Sequence, residues 1–265
     1  MTNGGSFFIL RHSSFVIFSP MRLRLLIAYD GKPFCGWQSQ ATGDSVQDHI
    51  EAVFQRVLGQ PTRIHGAGRT DGGVHALGQV AHVDVPDFGM PPAQWSRALN
   101  DHLPPGIRII RSTRAHATFH ARTDAIGKVY TYRIWHGSYL HPLEVGRAWL
   151  VPGKLDLARL REAAQLLVGE HDFANFAGNR REVENNTYRY IQEIALTTRG
   201  PLLTLRFRGN GFMYHMVRLL TGSIIRCARG REELSWLCEL RDRKSPEKTR
   251  YCAPAEGLYL TRVLY

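Results

Sequence analysis

Apolar and polar positions along the chain alternate between two periods, and the switches between them mark out the elements. From residue 21, "MRLRLLIAYDG" alternates apolar and polar side chains and closes on Asp30-Gly31, the pattern of a strand ending in a turn. In "SVQDHIEAVFQRVLGQ" the apolar residues stand at 46, 50, 53, 54, 57 and 58, which is one face of a helix. Ser45 with Asp48 three residues on predicts a capped start, and Gly59 predicts the end. "GQVAHVDV" returns to strand period. "PPAQWSRALNDHLP" predicts a second helix, with proline at its start and Pro104-Pro105 as its stop. "IRIIRS" predicts another strand.

A second series opens at "KVYTYRIW". Val129, Thr131 and Arg133 share one face of this strand; Tyr130, Tyr132 and Ile134 share the other. "DLARLREAAQLLVG" predicts a helix capped by Asp156, followed by strands at "YRYIQEIALTT" and "LLTLRFRG". "MYHMVRLLTGSIIRCARG" predicts a helix and "EELSWLCELR" a short one. Strand and helix are mixed twice over. That predicts an α+β fold of two related halves, residues 21–120 and 121–265, meeting near 119–127. The charged run 241–250 reads as a solvated loop. In residues 1–20 the apolar runs "FFIL" and "FVIF" are broken by "RHSS" and no small-residue cleavage site follows, so neither a signal peptide nor a membrane span fits. The expectation is a disordered or mis-extended tail, with Met21 as the start.

Composition sharpens the functional side. A formal net charge of +11 favours a polyanionic partner, nucleic acid ahead of others. All but five of the 34 basic residues are arginine, whose fork matches phosphate geometry. The four cysteines, at 35, 227, 238 and 252, form no CxxC pair, and the twelve histidines show no ligand spacing. Free thiols in a cytoplasmic protein, and no metal, are expected.

The densest chemistry lies in "GAGRTDGGVHA", residues 66–76. A dinucleotide fingerprint would need glycine at 71, where Asp71 stands, and a helix afterwards, where a strand follows. No GK[ST] follows either, so the stretch is not a P-loop. Asp-Gly is a turn signal, which accounts for Gly72 and at most Gly73. It leaves Arg69 and the upstream glycines without a reason. On these residues alone, a plain structural turn and a turn that exposes Asp71 stand level.

The same stretch resembles the signature loop of the tRNA pseudouridine synthase A family. The resemblance continues in order through "YDGKPFCGWQSQ", "SVQDHIE", "FHARTDAIGKVYTYRI", "GEHDFANFAG", "NNTYRYI", "GNGFMYHMVRLLTGSII" and "APAEGLYLTRVLY", from residue 22 to the end. Two departures stand out: Gly72, where the family commonly has Ala, and the idiosyncratic "RREVE" at 180–184. The resemblance implies two similar sheet-and-helix halves joined into one extended sheet with a central basic cleft. It implies isomerisation of uridines 38, 39 and 40 in the tRNA anticodon stem-loop, without cofactor, by a homodimer.

It also implies roles. Asp71 is the carboxylate that acts on the nucleoside, at C6, at C1′ or as a base at C2′. Arg218 is its ion-pair partner, although its place on the least apolar side of its helix, with Tyr214, His215 and Gly222, also fits a solvated face. Tyr130 stacks on the target base; alternation puts Tyr132 on the same face, so one of the two only packs. Arg69 enters the space left by the flipped base, against the plainer reading of a phosphate contact or salt bridge. His75 reads as a hydrogen bond holding the loop, and the Trp37 segment as core or RNA surface. RNA phosphate contacts are expected at Arg22, Arg24, Arg63, Arg114 and Arg122. The other functions kept open are a family member with different target positions, a catalytically silent RNA-binding protein, and a nucleoside hydrolase.

Overall fold

The computed structural model describes residues 20–41, 43–178, 186–243, 245 and 247–265. The tail before Pro20 and the "RREVE" segment lie outside the described residues. The first half of the chain forms β1 (Pro20–Tyr29), α1 (Val46–Leu58), β2 (His65–Gly66), β3 (His75–Pro86), α2 (Pro92–Asn100) and β4 (Ile107–Arg114). The second forms β5 (Gly127–His136), β6 (Trp149–Val151), α3 (Leu157–Leu166), β7 (Gly169–Asp172), β8 (Tyr188–Arg199), β9 (Leu202–Gly209), α4 (Met216–Ala228), α5 (Leu234–Arg241) and β10 (Leu258–Leu264). The α+β expectation is borne out, and the strands share one sheet.

Alternation along β1 buries Leu23, Leu25 and Ile27 completely, and these pack into one core with Ile50 and Phe54 of α1 and Trp95 of α2. α1 starts as its sequence predicts: Ser45 accepts from the Asp48 amide while Asp48 reaches back to the Ser45 amide. Gly59 ends it in the left-handed conformation at φ 71°. α2 is shorter than expected. It stops at Asn100 rather than near Pro104, because the Asn100 side chain pairs like a strand with Ile109, donating to its carbonyl and accepting its amide at 2.9 Å each. α4 begins at Met216 rather than Met213, because His215 stands at φ 59° and a left-handed residue cannot continue the helix.

The sheet order is β4-β1-β3-β10-β5-β9-β8-β7. The last strand of the chain therefore lies in the middle. β10 runs parallel to β3, with Tyr259 beside His75, and antiparallel to β5, with Leu258 beside Tyr132. This placement brings the end of the signature loop, which leads into β3, close to Tyr130 on β5. The core is continuous across the seam through Leu260, Tyr132 and Phe207.

Leu260 is fully buried at this seam. Leu260→Ala is expected to lower stability by about 2–5 kcal/mol. Urea unfolding followed by fluorescence and circular dichroism checks this, and the two probes should report one shared transition.

Candidate active site

The loop between β2 and β3 is held by its backbone. The Ala67 amide donates to the Val80 carbonyl at 2.7 Å, and the Trp37 amide donates to the Thr70 carbonyl at 3.0 Å. Buried Gln79 donates to the Gly68 carbonyl at 2.9 Å. The Thr70 hydroxyl shares a 2.7 Å hydrogen bond with Tyr29, whose phenol burial pushes up. Asp71 itself forms a single bridge with Gly36, and the Val74 amide closes a four-residue turn onto the Asp71 carbonyl at 3.1 Å. Gly73 sits at φ 80° in the third position of that turn, as a type II turn requires.

The Asp-Gly step is therefore not a tight hairpin. β2 pairs with β3 at His65–His82 and Gly66–Ala81, and the loop spans the gap as a braced ledge. The upstream glycines gain their reason here. A Cβ on Gly66 would stand 2.4 Å from the indole nitrogen of Trp37, a fully buried ring. Gly72 is different: a Cβ there meets only ordinary contacts at 3.6 Å and beyond.

His75 anchors the far end. Its Nδ1 accepts the Gly31 amide at 3.1 Å and its Nε2 contacts the Gly146 carbonyl at 3.0 Å. Its ring stacks on Tyr259 of β10 at 4.6 Å. Burial holds this imidazole below its ordinary pKa. The neutral form, with Nε2–H donating, satisfies both bonds. Asp30, 3.1 Å from Nδ1, is then a neighbour rather than an ion-pair partner.

The ledge forms one wall of a cavity of about 380 Å³. Asp71, Arg69, Tyr130, Lys128, Phe212 and His215 line it. The Asp71 carboxylate faces the N-terminal turn of α4. Its Oδ2 is 3.5 Å from Arg218 Nη1 and 3.4 Å from His215 Nε2. Arg218 is 16% exposed and Asp71 22%, so the ion pair is half-sheltered rather than solvated. Arg218 is fixed from behind: its Nε donates to the Ala253 carbonyl at 2.7 Å, and its own carbonyl accepts the Ala253 amide at 3.1 Å. The solvated-face reading of this helix side is corrected by Gly222 too, which is buried so closely that a Cβ would stand 1.7 Å from the Tyr251 carbonyl oxygen.

The two tyrosines of β5 separate. Tyr132 is fully buried and donates to the Pro254 carbonyl at 2.6 Å, so it packs. Tyr130 lines the cavity, braced edge-on by Phe212 at 5.2 Å, and burial raises its phenol. Arg69 lines the same cavity, with Nε bonded to Gln38 at 3.3 Å.

A family model described as tRNA pseudouridine synthase matches residues 25–124 and 163–265. The chain belongs to the tRNA pseudouridine synthase family. Curated relatives named tRNA pseudouridine synthase A agree along the length. One from Akkermansia muciniphila is 43% identical, over 92% of this chain and 95% of the relative. One from Solidesulfovibrio magneticus is 42% identical, over 92% and 91%. One from Staphylococcus aureus is 37% identical, over the same shares. A solved Cbf5-Nop10-Gar1 complex aligns with TM-score 0.38 at 13% identity, covering 77% of this chain and 44% of that one, too distant to bear on the site. The synthase is thus an isomerase that converts uridine in tRNA to pseudouridine.

The structure sorts the five arginines expected on RNA. Arg63 and Arg122 line a groove that runs from the cavity past His65 and His120, and Arg122 lines the cavity as well. Arg22 is engaged by Asp84 through two hydrogen bonds, at 2.7 and 2.6 Å. Arg24 lies over the Tyr265 ring at 4.3 Å, and Arg114 pairs with Asp87 at 3.0 Å. Sequence reasoning passed over Lys128 and read His215 only as part of a solvated helix face. No sequence signal marked the left-handed backbone at which His215 stands beside Asp71. No three His, Cys, Asp or Glu among the described residues are placed to hold a metal, and no described helix is long and apolar enough to cross a membrane.

The two turn glycines of the synthase should separate on substitution. Gly72→Ala is expected to raise stability by about 0.4–1 kcal/mol by restricting the unfolded chain. Gly73→Ala should lower it by about 1–2 kcal/mol through its left-handed backbone. Paired urea melts check the order.

Proposed function

We propose that this synthase modifies uridines 38, 39 and 40 of the tRNA anticodon stem-loop, with Asp71 as the group that attacks the extruded nucleoside. The observation that carries the reading is that Asp71 and Tyr130 line one cavity while Arg218, from a third segment far along the chain, stands behind Asp71 at 3.5 Å. The reaction breaks N1–C1′ and makes C5–C1′; C5 loses a proton and N1 gains one. Atoms and charge balance without an external reductant or energy source.

Each side chain then has a task. Asp71 must be ionised to act, whether at C6, at C1′ or on the C2′ proton. The Arg218 guanidinium stands 3.5 Å from Asp71 Oδ2, where it serves as the counter-charge of the acting carboxylate. Tyr130 offers a ring face to the uracil, worth roughly 1–3 kcal/mol in stacking. A ring face grips without fixing in-plane orientation, so the base can turn over. The target must first leave its stack, and Arg69 at the cavity rim is placed to fill the space it vacates. Arg63 and Arg122 continue the basic path outward, whereas Arg22 and Arg114 already serve carboxylates. The synthase acts in the cytoplasm, where its thiols stay reduced, and as a homodimer that lets tRNA reach across two subunits.

Asp71→Asn should abolish pseudouridine formation in an unmodified anticodon stem-loop while binding persists. The assay scores stem-loops carrying a single uridine at 38, 39 or 40. Turnover by the variant would remove Asp71 from the chemistry, and product only at other positions would overturn the target assignment.

A further inference from the structure

The cavity holds a cation that the roles above leave unused. Lys128 on β5 lines it together with Asp71 and Tyr130. Its ammonium lies against the backbone of the signature loop: a Cβ on Gly68 would stand 2.8 Å from Nζ. The absence of a side chain at Gly68 leaves the lysine tip room to lie there. Among the described residues Lys128 makes no hydrogen bond, ion pair or ring contact. Burial first, then Arg122 and Arg189, hold its pKa below the ordinary lysine value.

The neighbours deepen the imbalance. Arg122, on the same cavity wall, makes no side-chain hydrogen bond or ion pair among the described residues either. The cavity's one carboxylate, Asp71, is already faced by Arg218 and His215. A sheltered ammonium without a counter-charge is costly, and a second cation beside it makes it more so. Such an arrangement is stabilised when an anion arrives. Uracil is neutral, and its carbonyl oxygens offset no net charge. The anion that necessarily accompanies a uridine in RNA is its phosphodiester.

We propose that Lys128 and Arg122 form a phosphate subsite inside the cavity, which takes the RNA phosphodiester next to the target uridine. The proposal rests on the RNA-modifying reading of the same cavity. The subsite anchors the ribose-phosphate on one side while the base rotates over Tyr130 on the other. It also ties the signature loop to the substrate, because the lysine that grips the phosphate lies on Gly68, three residues before Asp71.

The test compares Lys128→Met, Arg122→Met and the double variant. Binding of an anticodon stem-loop is measured in the Asp71→Asn background across a series of salt concentrations. Thermal unfolding of each protein is measured without RNA. Lys128→Met should weaken binding about ten-fold, and the double variant should reduce the salt slope by about 0.7–0.9, the loss of one phosphate contact. The thermal midpoint of Lys128→Met should stay level or rise, because an uncompensated charge has been removed. The double variant should lose less than the two single losses combined, since both groups hold one phosphate. An unchanged salt slope for the double variant would overturn the proposal, whether or not affinity falls, because a uracil contact or a structural role leaves the slope intact. Additive losses in the double variant would overturn the shared subsite. The wild-type enzyme is scored for pseudouridine on the same stem-loop. Absence of product there sinks the functional reading itself, whereas product with an unchanged slope sinks only the subsite.

Discussion

The site depends on one ion pair whose two members are fixed independently. Asp71 and Arg218 approach only to 3.5 Å, too long for a short charge-assisted hydrogen bond. What keeps them in register is the scaffolding behind each. Arg218 is gripped twice by the Ala253 backbone, so its guanidinium is not free to search for other partners. Asp71 is pinned by the bridge to Gly36 and by the turn that the Val74 amide closes. The pair spans the two halves of the chain, and its geometry is inherited from the sheet that joins them.

That sheet makes the inheritance possible. With β10 between β3 and β5, the strand that follows Asp71 and the strand that carries Tyr130 are both neighbours of the chain's last segment. Ala253, which holds Arg218, lies just upstream of β10. His75 stacks on Tyr259 of β10 as well. One strand thus touches the supports of the carboxylate, the guanidinium and the aromatic wall. A shift of β10 would move all of them together rather than pull them apart, which is how a site assembled from distant segments stays precise.

Much of this was legible in the sequence, for identifiable reasons. Alternation in β1 and the helical face of α1 follow from local pattern, and the Ser45–Asp48 cap formed as its spacing implies. The resemblance carried the family and the set Asp71, Tyr130 and Arg218. What local pattern could not hold was anything decided by tertiary contact. The end of α2 is set by Asn100 reaching to β4, and the start of α4 by a left-handed histidine. Gly66 reads as an unexplained excess until Trp37, distant in sequence, is seen to fill the space above it. The split between Tyr130 and Tyr132 was equally invisible. Both face the same way, and only the hydroxyl of Tyr132 on Pro254 assigns it to the core.

The central claim is that Arg218 holds the Asp71 carboxylate ready for reaction rather than holding RNA. The most direct measurement is the single-turnover rate of Arg218→Met at saturating stem-loop, where binding no longer limits. The account predicts a rate lower by two orders of magnitude or more, about 2.7 kcal/mol in the barrier, with stem-loop affinity within a few-fold of wild type. A single-turnover rate within two-fold of wild type would contradict it.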